Sequence, residues 1–108
     1  MRNARFMATR YEFDWDPAKA LSNQKKHGVR FEDAMGIFTD KLALSLFDEE
    51  HSDNEDRWIT LGDDGKGQLL VAIHTYIELG DNRVAIRIIS ARRPTNREVQ
   101  FYLEGLGS

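Results

Sequence analysis

Three arginines stand close together near the end of the chain, where an apolar segment becomes polar. The segment IRIISARRPTNRE, residues 86–98, contains Arg92, Arg93 and Arg97, and the wider stretch 83–97 holds five arginines and no acidic residue. A guanidinium group keeps its charge at every relevant pH, and its planar fork matches two phosphate oxygens. For any single arginine, a solvated surface position or a surface ion pair is as good an explanation as phosphate binding. The group as a whole favours binding of a phosphodiester.

A phosphodiester of RNA can be cleaved without a metal if the protein supplies suitable side chains. The reaction needs a base for the 2'-hydroxyl, an acid for the leaving oxygen and a cation for the crowded phosphorane. The arginines would supply the cation. The candidates for proton transfer are His27, His51, Glu55, Glu98 and Tyr102. Each also has a structural interpretation, as a cation at a helix end, a loop residue, a capping carboxylate or a core residue, so the sequence leaves the choice open.

Composition excludes several other chemistries. The chain has 108 residues and no cysteine, so disulfides, thiolate catalysis and cysteine zinc sites are excluded. Its three histidines are scattered, and we expect neither a metal site nor a cofactor. No apolar stretch reaches the roughly 20 residues of a membrane span, so we expect a cytoplasmic protein with no membrane partner. The net charge of -3 argues mildly against a general nucleic-acid binder.

Apolar periodicity and turn residues predict the elements that position these groups. They predict a strand at YEFDWD, helices at DPAKALSNQKKHG and FEDAMGIF, strands at LALSLFD, RWITLG, QLLVAIHTYI and RVAIRIISA, and a closing helix. Asp16 and Gly28 should cap the first helix, and Thr95 with Glu98 has the form of a capping box. The order predicts an α+β domain with a small antiparallel sheet at residues 11–105, after a flexible tail at 1–10.

Two residues of the predicted strands have polar side chains in apolar surroundings. Arg87 lies in mid-strand between apolar residues, and we expect a structural pairing with a carboxylate. His74 lies in the most apolar strand, where a hydrogen-bonded sheet residue is a better expectation than a catalyst.

Three blocks of the sequence, in order, resemble the BrnT toxins of bacterial type II toxin-antitoxin systems. They are FDWDPAKALSNQKKHGVRFEDAMGIFTD, HSDNEDRWITLG and IRIISARRPTNREVQFY, and they extend from Phe13 to Tyr102. The resemblance implies a RelE-like ribonuclease fold and RNA cleavage that halts translation. It also implies neutralisation by a BrnA-like antitoxin with a ribbon-helix-helix domain, and contact with operator DNA only through the toxin-antitoxin complex. The acidity of the chain suits a substrate presented by the ribosome, or a basic antitoxin.

The resemblance also implies site residues. The family's polar positions fall on Lys26, His27, His51, Glu55, Arg57, Arg92, Arg93 and Glu98. In the first hypothesis, a metal-independent endoribonuclease, Arg57 and Arg92 stabilise the phosphorane, and His51, Glu55 or His27 moves protons.

The residues expected to bind RNA in that hypothesis are Lys26, Arg93 and Arg97. In the alternative hypothesis the protein is a non-catalytic binder, whose arginines dock an acidic partner or contribute to operator binding. Binding alone would need no proton carrier near the arginines, whereas catalysis needs both.

Overall fold

The structure, a computed structural model, describes residues 9–106. In chain order the elements are β1 (Arg10–Asp14), α1 (Pro17–His27), α2 (Phe31–Ala34), a 3-10 helix (Met35–Thr39), β2 (Leu44–Phe47), a 3-10 helix (Glu49–His51), β3 (Trp58–Asp63), β4 (Leu69–His74), β5 (Ile77–Gly80), β6 (Arg83–Arg92) and α3 (Asn96–Leu106). Of the tail predicted at residues 1–10, residues 1–8 lie outside the described residues, and Arg10 begins β1. Among residues 9–106, no helix has the length and apolar character needed to span a bilayer.

The six strands form one mixed sheet, in the order β1-β6-β4-β3-β2, with β5 paired to the first part of β6. β1 runs parallel to β6, and the other strand pairs are antiparallel. The predicted antiparallel sheet was therefore wrong for β1. A helical connection follows β1, so the hairpin geometry that makes sequential strands antiparallel does not apply to it. The strand predicted at residues 68–77 is also two strands, because the chain leaves the ladder at Thr75 and Tyr76.

A bulge in β6 decides which arginines share a face of the sheet. The extra residue is Ile89, because adjacent residues of β4 pair with residues two apart on β6. Strict alternation would place Arg87 and Arg92 on opposite faces, since an odd number of positions separates them. With the bulge, both arginines lie on one face, while Ile86 and Ala91 are buried on the other.

The two faces of the sheet are covered unequally. The covered face packs against α1, α2 and the first 3-10 helix, and its core includes Val29, Phe31, Ala34, Ile37, Leu70, Ala72, Ile86, Ile88 and Ala91. The other face has a small second cluster, in which Tyr102 of α3 packs on Leu61 and Val71. We call this second side the open face, because α3 covers only one end of it; it carries Ile59, Ile73, Arg87, Ser90 and Arg92.

Local signals in the sequence place α1 correctly, and a buried amide joins it to the sheet. The Asp16 carboxylate accepts from the Ala18 amide at 2.8 Å, and Gly28 ends the helix with φ 70°, as predicted. Asn23 is buried; its amide group donates to the Ala91 carbonyl at 2.8 Å and accepts from the Ala91 amide at 3.1 Å. At Ala91 the Asn23 side chain thus makes the two hydrogen bonds that a neighbouring strand would make, and these bonds join α1 to β6.

Candidate active site

The loop between β2 and β3 folds around the Ser52 hydroxyl. This hydroxyl donates to the Asp48 carbonyl at 2.5 Å and accepts from the Arg57 amide at 3.0 Å. The Asp48 amide in turn donates to the Arg57 carbonyl at 2.8 Å. The ends of the loop are thus held side by side, so Asp48 and Arg57, nine positions apart in the chain, belong to one hydrogen-bonded group.

A cleft of about 430 Å³ lies between this loop and the open face. Asp48, His51 and Arg57 line its loop side, and Ile59, Ile73 and Ser90 line its sheet side. The volume lies within the range of small-ligand sites in proteins. The cleft therefore combines a charged wall with an apolar one.

His51 is oriented in the cleft by a carboxylate. Its Nδ1 lies 3.1 Å from one Asp48 carboxylate oxygen and 3.0 Å from the other. Because a carboxylate only accepts hydrogen bonds, Nδ1 carries the proton and Nε2 of the neutral ring is an acceptor. Nε2 has no hydrogen-bond partner among the described residues, and the imidazole is largely exposed. The ring is therefore held in the tautomer that can take a proton from a ligand.

Arg57 keeps hydrogen-bond donors that the protein itself does not use. Its Nε is buried and has no partner among residues 9–106. Its Nη2 lies 3.7 Å from a Glu55 carboxylate oxygen, which is an ion pair without a hydrogen bond. A buried donor without an acceptor costs about 1–3 kcal/mol. Nε itself is sealed from solvent, so an anion in the cleft would meet the Nη groups of the partly exposed side chain.

Glu55 lies between two arginines. Its second carboxylate oxygen accepts a hydrogen bond from Arg87 of β6, which confirms the predicted pairing of Arg87 with a carboxylate. Because the same carboxylate also faces Arg57, it holds the loop across the open face and orients the Arg57 guanidinium. Glu55 is therefore paired with both arginines, through a hydrogen bond to Arg87 and an ion pair without a hydrogen bond to Arg57.

Arg92 lies on the open face but has an internal partner. Its guanidinium donates two hydrogen bonds to the Glu98 carboxylate, at 2.8 and 2.9 Å. Glu98 also accepts from the Thr95 amide at 2.8 Å, and its own amide donates to the Thr95 hydroxyl at 3.2 Å, which confirms the predicted capping box. The hydrogen bonds from Arg92 lower the pKa of Glu98 to about 2. Glu98 is therefore ionised near neutral pH, and it neutralises the charge of Arg92.

We expect the Arg92–Glu98 pair to make stability depend on pH. The pKa of Glu98 is about 2 in the folded protein against an ordinary 4.5. The stabilisation is therefore present above pH 4.5 and is lost as the pH falls towards 2. Glu98→Gln should lower the free energy of unfolding by about 2 kcal/mol at pH 7, and the difference from wild type should shrink in that acidic range.

Urea denaturation at a series of pH values measures this difference. The matched control is Glu78→Gln at an exposed position of β5, which should stay close to wild type throughout. A difference between Glu98→Gln and wild type that is the same at pH 7 and pH 2 would show that the pair does not titrate as described.

Tyr102 and His74 have structural contacts. The Tyr102 hydroxyl donates to an Asp40 carboxylate oxygen at 2.6 Å, and this bond raises the pKa of the phenol to about 12. His74 is buried, with Nε2 2.7 Å from the Thr60 hydroxyl and Nδ1 2.8 Å from the Thr75 carbonyl, and burial lowers its pKa. The prediction of His74 as a hydrogen-bonded sheet residue is confirmed.

The structure brings some predicted site residues together and separates others. His51, Glu55 and Arg57 lie in or beside the cleft, and Arg92 is farther along the same face. Lys26 and His27 end α1, the helix that packs on the covered side. Arg93 and Arg97 are exposed around the start of α3.

Two residues of the site were not predicted from the sequence. Asp48 holds His51 and Ser52 closes the loop, and both lie within five positions of the residues they contact. An aspartate three positions before a histidine was the available signal.

No group of three or more His, Asp or Glu side chains that could hold a metal ion occurs among residues 9–106.

The fold and the site together define an α+β protein with a mixed sheet and an arginine-histidine cleft on its open face. The model of the family described as "Ribonuclease toxin, BrnT, of type II toxin-antitoxin system" matches residues 15–98. The chain therefore belongs to the BrnT family of ribonuclease toxins, as its sequence motifs predicted.

A solved structure agrees with this assignment at the level of the fold. The crystal structure of the Brucella abortus ribonuclease toxin BrnT is 22% identical and superposes with a TM-score of 0.54. The match covers 82% of this chain and 100% of the Brucella chain. Comparison with curated proteins gave no match.

Proposed function

We propose that this chain is a metal-independent endoribonuclease, and that the cleft between residues 48–57 and the open face holds the phosphate that is cleaved. The observation that carries the proposal is the pairing, within one cleft, of a carboxylate-held imidazole with a guanidinium whose donors are unused. The imidazole is a base and the guanidinium is a cation. Both are required when the RNA's own 2'-hydroxyl attacks the phosphorus.

In the proposed reaction, Nε2 of His51 takes the proton of the 2'-hydroxyl as its oxygen attacks the adjacent phosphorus. Arg57 donates hydrogen bonds to the nonbridging oxygens, where negative charge increases in the phosphorane. The bond from phosphorus to the 5'-oxygen then breaks, and the leaving oxygen takes a proton from water. The products are a 2',3'-cyclic phosphate and a 5'-hydroxyl.

The other predicted residues take roles that follow from their positions. Glu55 orients Arg57, and Arg92 stabilises the start of α3 through Glu98. Arg93 and Arg97 are exposed beyond the end of β6 and would bind flanking phosphates of the RNA. We leave Lys26 and His27 out of the catalytic group, because α1 packs against the covered face.

We also propose the biological setting that the family suggests. RNA cleavage would halt translation, a BrnA-like antitoxin with a ribbon-helix-helix domain would neutralise the toxin, and only the complex would bind operator DNA. The fold would fall in the RelE-like group. Family membership supports this setting, and the net charge of -3 suits a toxin whose substrate is presented by the ribosome. The non-catalytic alternative would not require an imidazole held beside Arg57.

Incubation of purified, antitoxin-free protein with messenger RNA tests the proposal. We expect cleavage of naked RNA, of ribosome-bound RNA, or of both, and cleavage of naked RNA should proceed at the same rate with and without excess EDTA. Loss of naked-RNA cleavage in EDTA that returns with added Mg²⁺ would contradict metal independence. RNA left intact in every condition would favour the non-catalytic alternative.

A further inference from the structure

The outer strand β2 leaves part of its backbone without a hydrogen-bond partner. The Asp48 amide donates to the Arg57 carbonyl at 2.8 Å, and the register pairs Leu46 with Ile59. In an antiparallel ladder, main-chain groups alternate between the two edges of a strand. Those of Ser45 and Phe47 therefore point away from β3, and no described residue bonds to them.

The side chains along this edge are apolar and exposed. Leu46 is 69% exposed, and Phe101 of α3 is 53% exposed. A groove between β2 and α3 is lined by Leu44, Leu46 and Phe101, with Ile59 and Leu61 as its floor. An exposed edge strand with a continuous apolar surface is prone to pair with another chain. The exposed edge of β2 and the apolar groove beside it therefore have the properties of a surface that is covered in a complex.

The charges next to the groove indicate the chemistry of the partner. β2 leads into the acidic loop, where Glu49, Glu50, Asp53 and Asp56 are exposed and have no ion pair among residues 9–106. An occupant with basic residues would complement this end of the strand. A second copy of the chain fits less well, because its net charge is -3 and the same acidic loop flanks its own β2.

From this geometry we infer that an extended segment of the antitoxin adds to β2 as a further strand. Its apolar residues fill the groove beside Phe101, and basic residues at one end contact the acidic loop. This inference rests on the proposed function, which supplies the antitoxin as the partner. Main-chain hydrogen bonds to Ser45 and Phe47 would provide affinity, and the groove would provide specificity.

Such a segment would also reach the cleft. Glu50 lines the cleft together with His51 and Arg57. A side chain bound at Glu50 would therefore lie at the mouth of the cleft and exclude a phosphate by its volume. Neutralisation then follows from docking at β2, with no rearrangement of the sheet.

Calorimetric titration with a BrnA-like antitoxin tests the docking surface. We expect Leu46→Glu to weaken binding at least tenfold, while its RNA cleavage without antitoxin equals that of wild type. The matched control is Leu21→Glu on α1, since Leu21 is 65% exposed and lies outside the groove; it should bind as wild type does. Equal binding by Leu46→Glu and wild type would overturn the inference and leave the proposed function standing. No binding by wild type would overturn the inference together with the proposed antitoxin, and would leave the proposed RNA cleavage standing.

Amide hydrogen exchange, measured by NMR on the complex, tests the strand addition itself. We expect the amides of Ser45 and Phe47 to exchange quickly in the protein alone and slowly in the complex. Those of Leu44 and Leu46, which face β3, should be protected in both. Equal exchange of Ser45 and Phe47 with and without antitoxin would contradict strand addition. A dimer of the chain alone that Leu46→Glu dissociates would make a second copy the occupant and would also overturn the inference.

Discussion

Replacing Arg57 with alanine lowers the rate of RNA cleavage by roughly 10²–10³-fold, the loss found when one well-aimed donor to a developing oxyanion is removed. The physical reason is that its partly exposed guanidinium makes no hydrogen bond among residues 9–106 and has only a 3.7 Å ion pair to Glu55. Its Nη donors are thus available to a phosphorane. Because the protein uses few of them, stability should change little. Single-turnover cleavage of one RNA substrate measures the rate, and thermal unfolding checks the fold.

A second substitution at this position separates charge from geometry, and a substitution at another arginine serves as its control. Arg57→Lys keeps the charge but loses the planar fork, so its rate should lie between those of wild type and Arg57→Ala. Arg30→Ala is the matched control, because Arg30 is exposed and pairs with Asp33 at 3.5 Å in the helical layer. If Arg57→Ala and Arg30→Ala cleave equally fast, Arg57 does not act on the phosphate.

Removal of the His51 imidazole should have an effect of similar size. General acid-base catalysis contributes typically 10²–10⁴-fold, and we expect His51→Ala to lose activity in that range. Asp48→Asn should cost less, because it leaves the imidazole in place while weakening the contact that selects its tautomer. The measurement is the single-turnover rate of cleavage by each variant, compared with wild type on the same RNA substrate.

The other histidine named by the sequence provides the comparison. His27→Ala removes an imidazole from the end of α1, on the covered side of the sheet, and we expect it to retain the wild-type rate. A large loss in His27→Ala together with full activity in His51→Ala would move the proton carrier to α1 and would contradict the site described here.

Local patterns predicted most of the elements, and long-range contacts account for what they missed. The caps of α1 and the capping box at Thr95 and Glu98 were correct because each depends on residues within a few positions. The pairing of β1 with β6 joins residues about 70 positions apart, and no local pattern encodes that choice. The bulge at Ile89 likewise arises where β6 passes from β5 to β4, so apolar periodicity within β6 alone could not reveal it.

Part of the site was predicted because some of its residues are close together in the sequence. His51, Glu55 and Arg57 are close in sequence and remain close in the fold, because Ser52 closes their loop. Arg92 was expected to be available for a phosphate. Its pairing with Glu98 was not predicted. The capping-box pattern describes only the contact of Glu98 with Thr95, whereas the second oxygen of the same carboxylate accepts from Arg92. Lys26 was grouped with the site by resemblance, and His27 also as a candidate proton carrier; both end α1, which packs on the covered face.

The chemical ends of the RNA fragments test the central claim most directly. If the RNA's own 2'-hydroxyl attacks in the cleft, with His51 as base and Arg57 as the cation, mass spectrometry of the fragments will find a 2',3'-cyclic phosphate, or its hydrolysis product, on one side of each cut and a 5'-hydroxyl on the other. Fragments with 3'-hydroxyl and 5'-phosphate ends would contradict it, because those ends require attack by water instead.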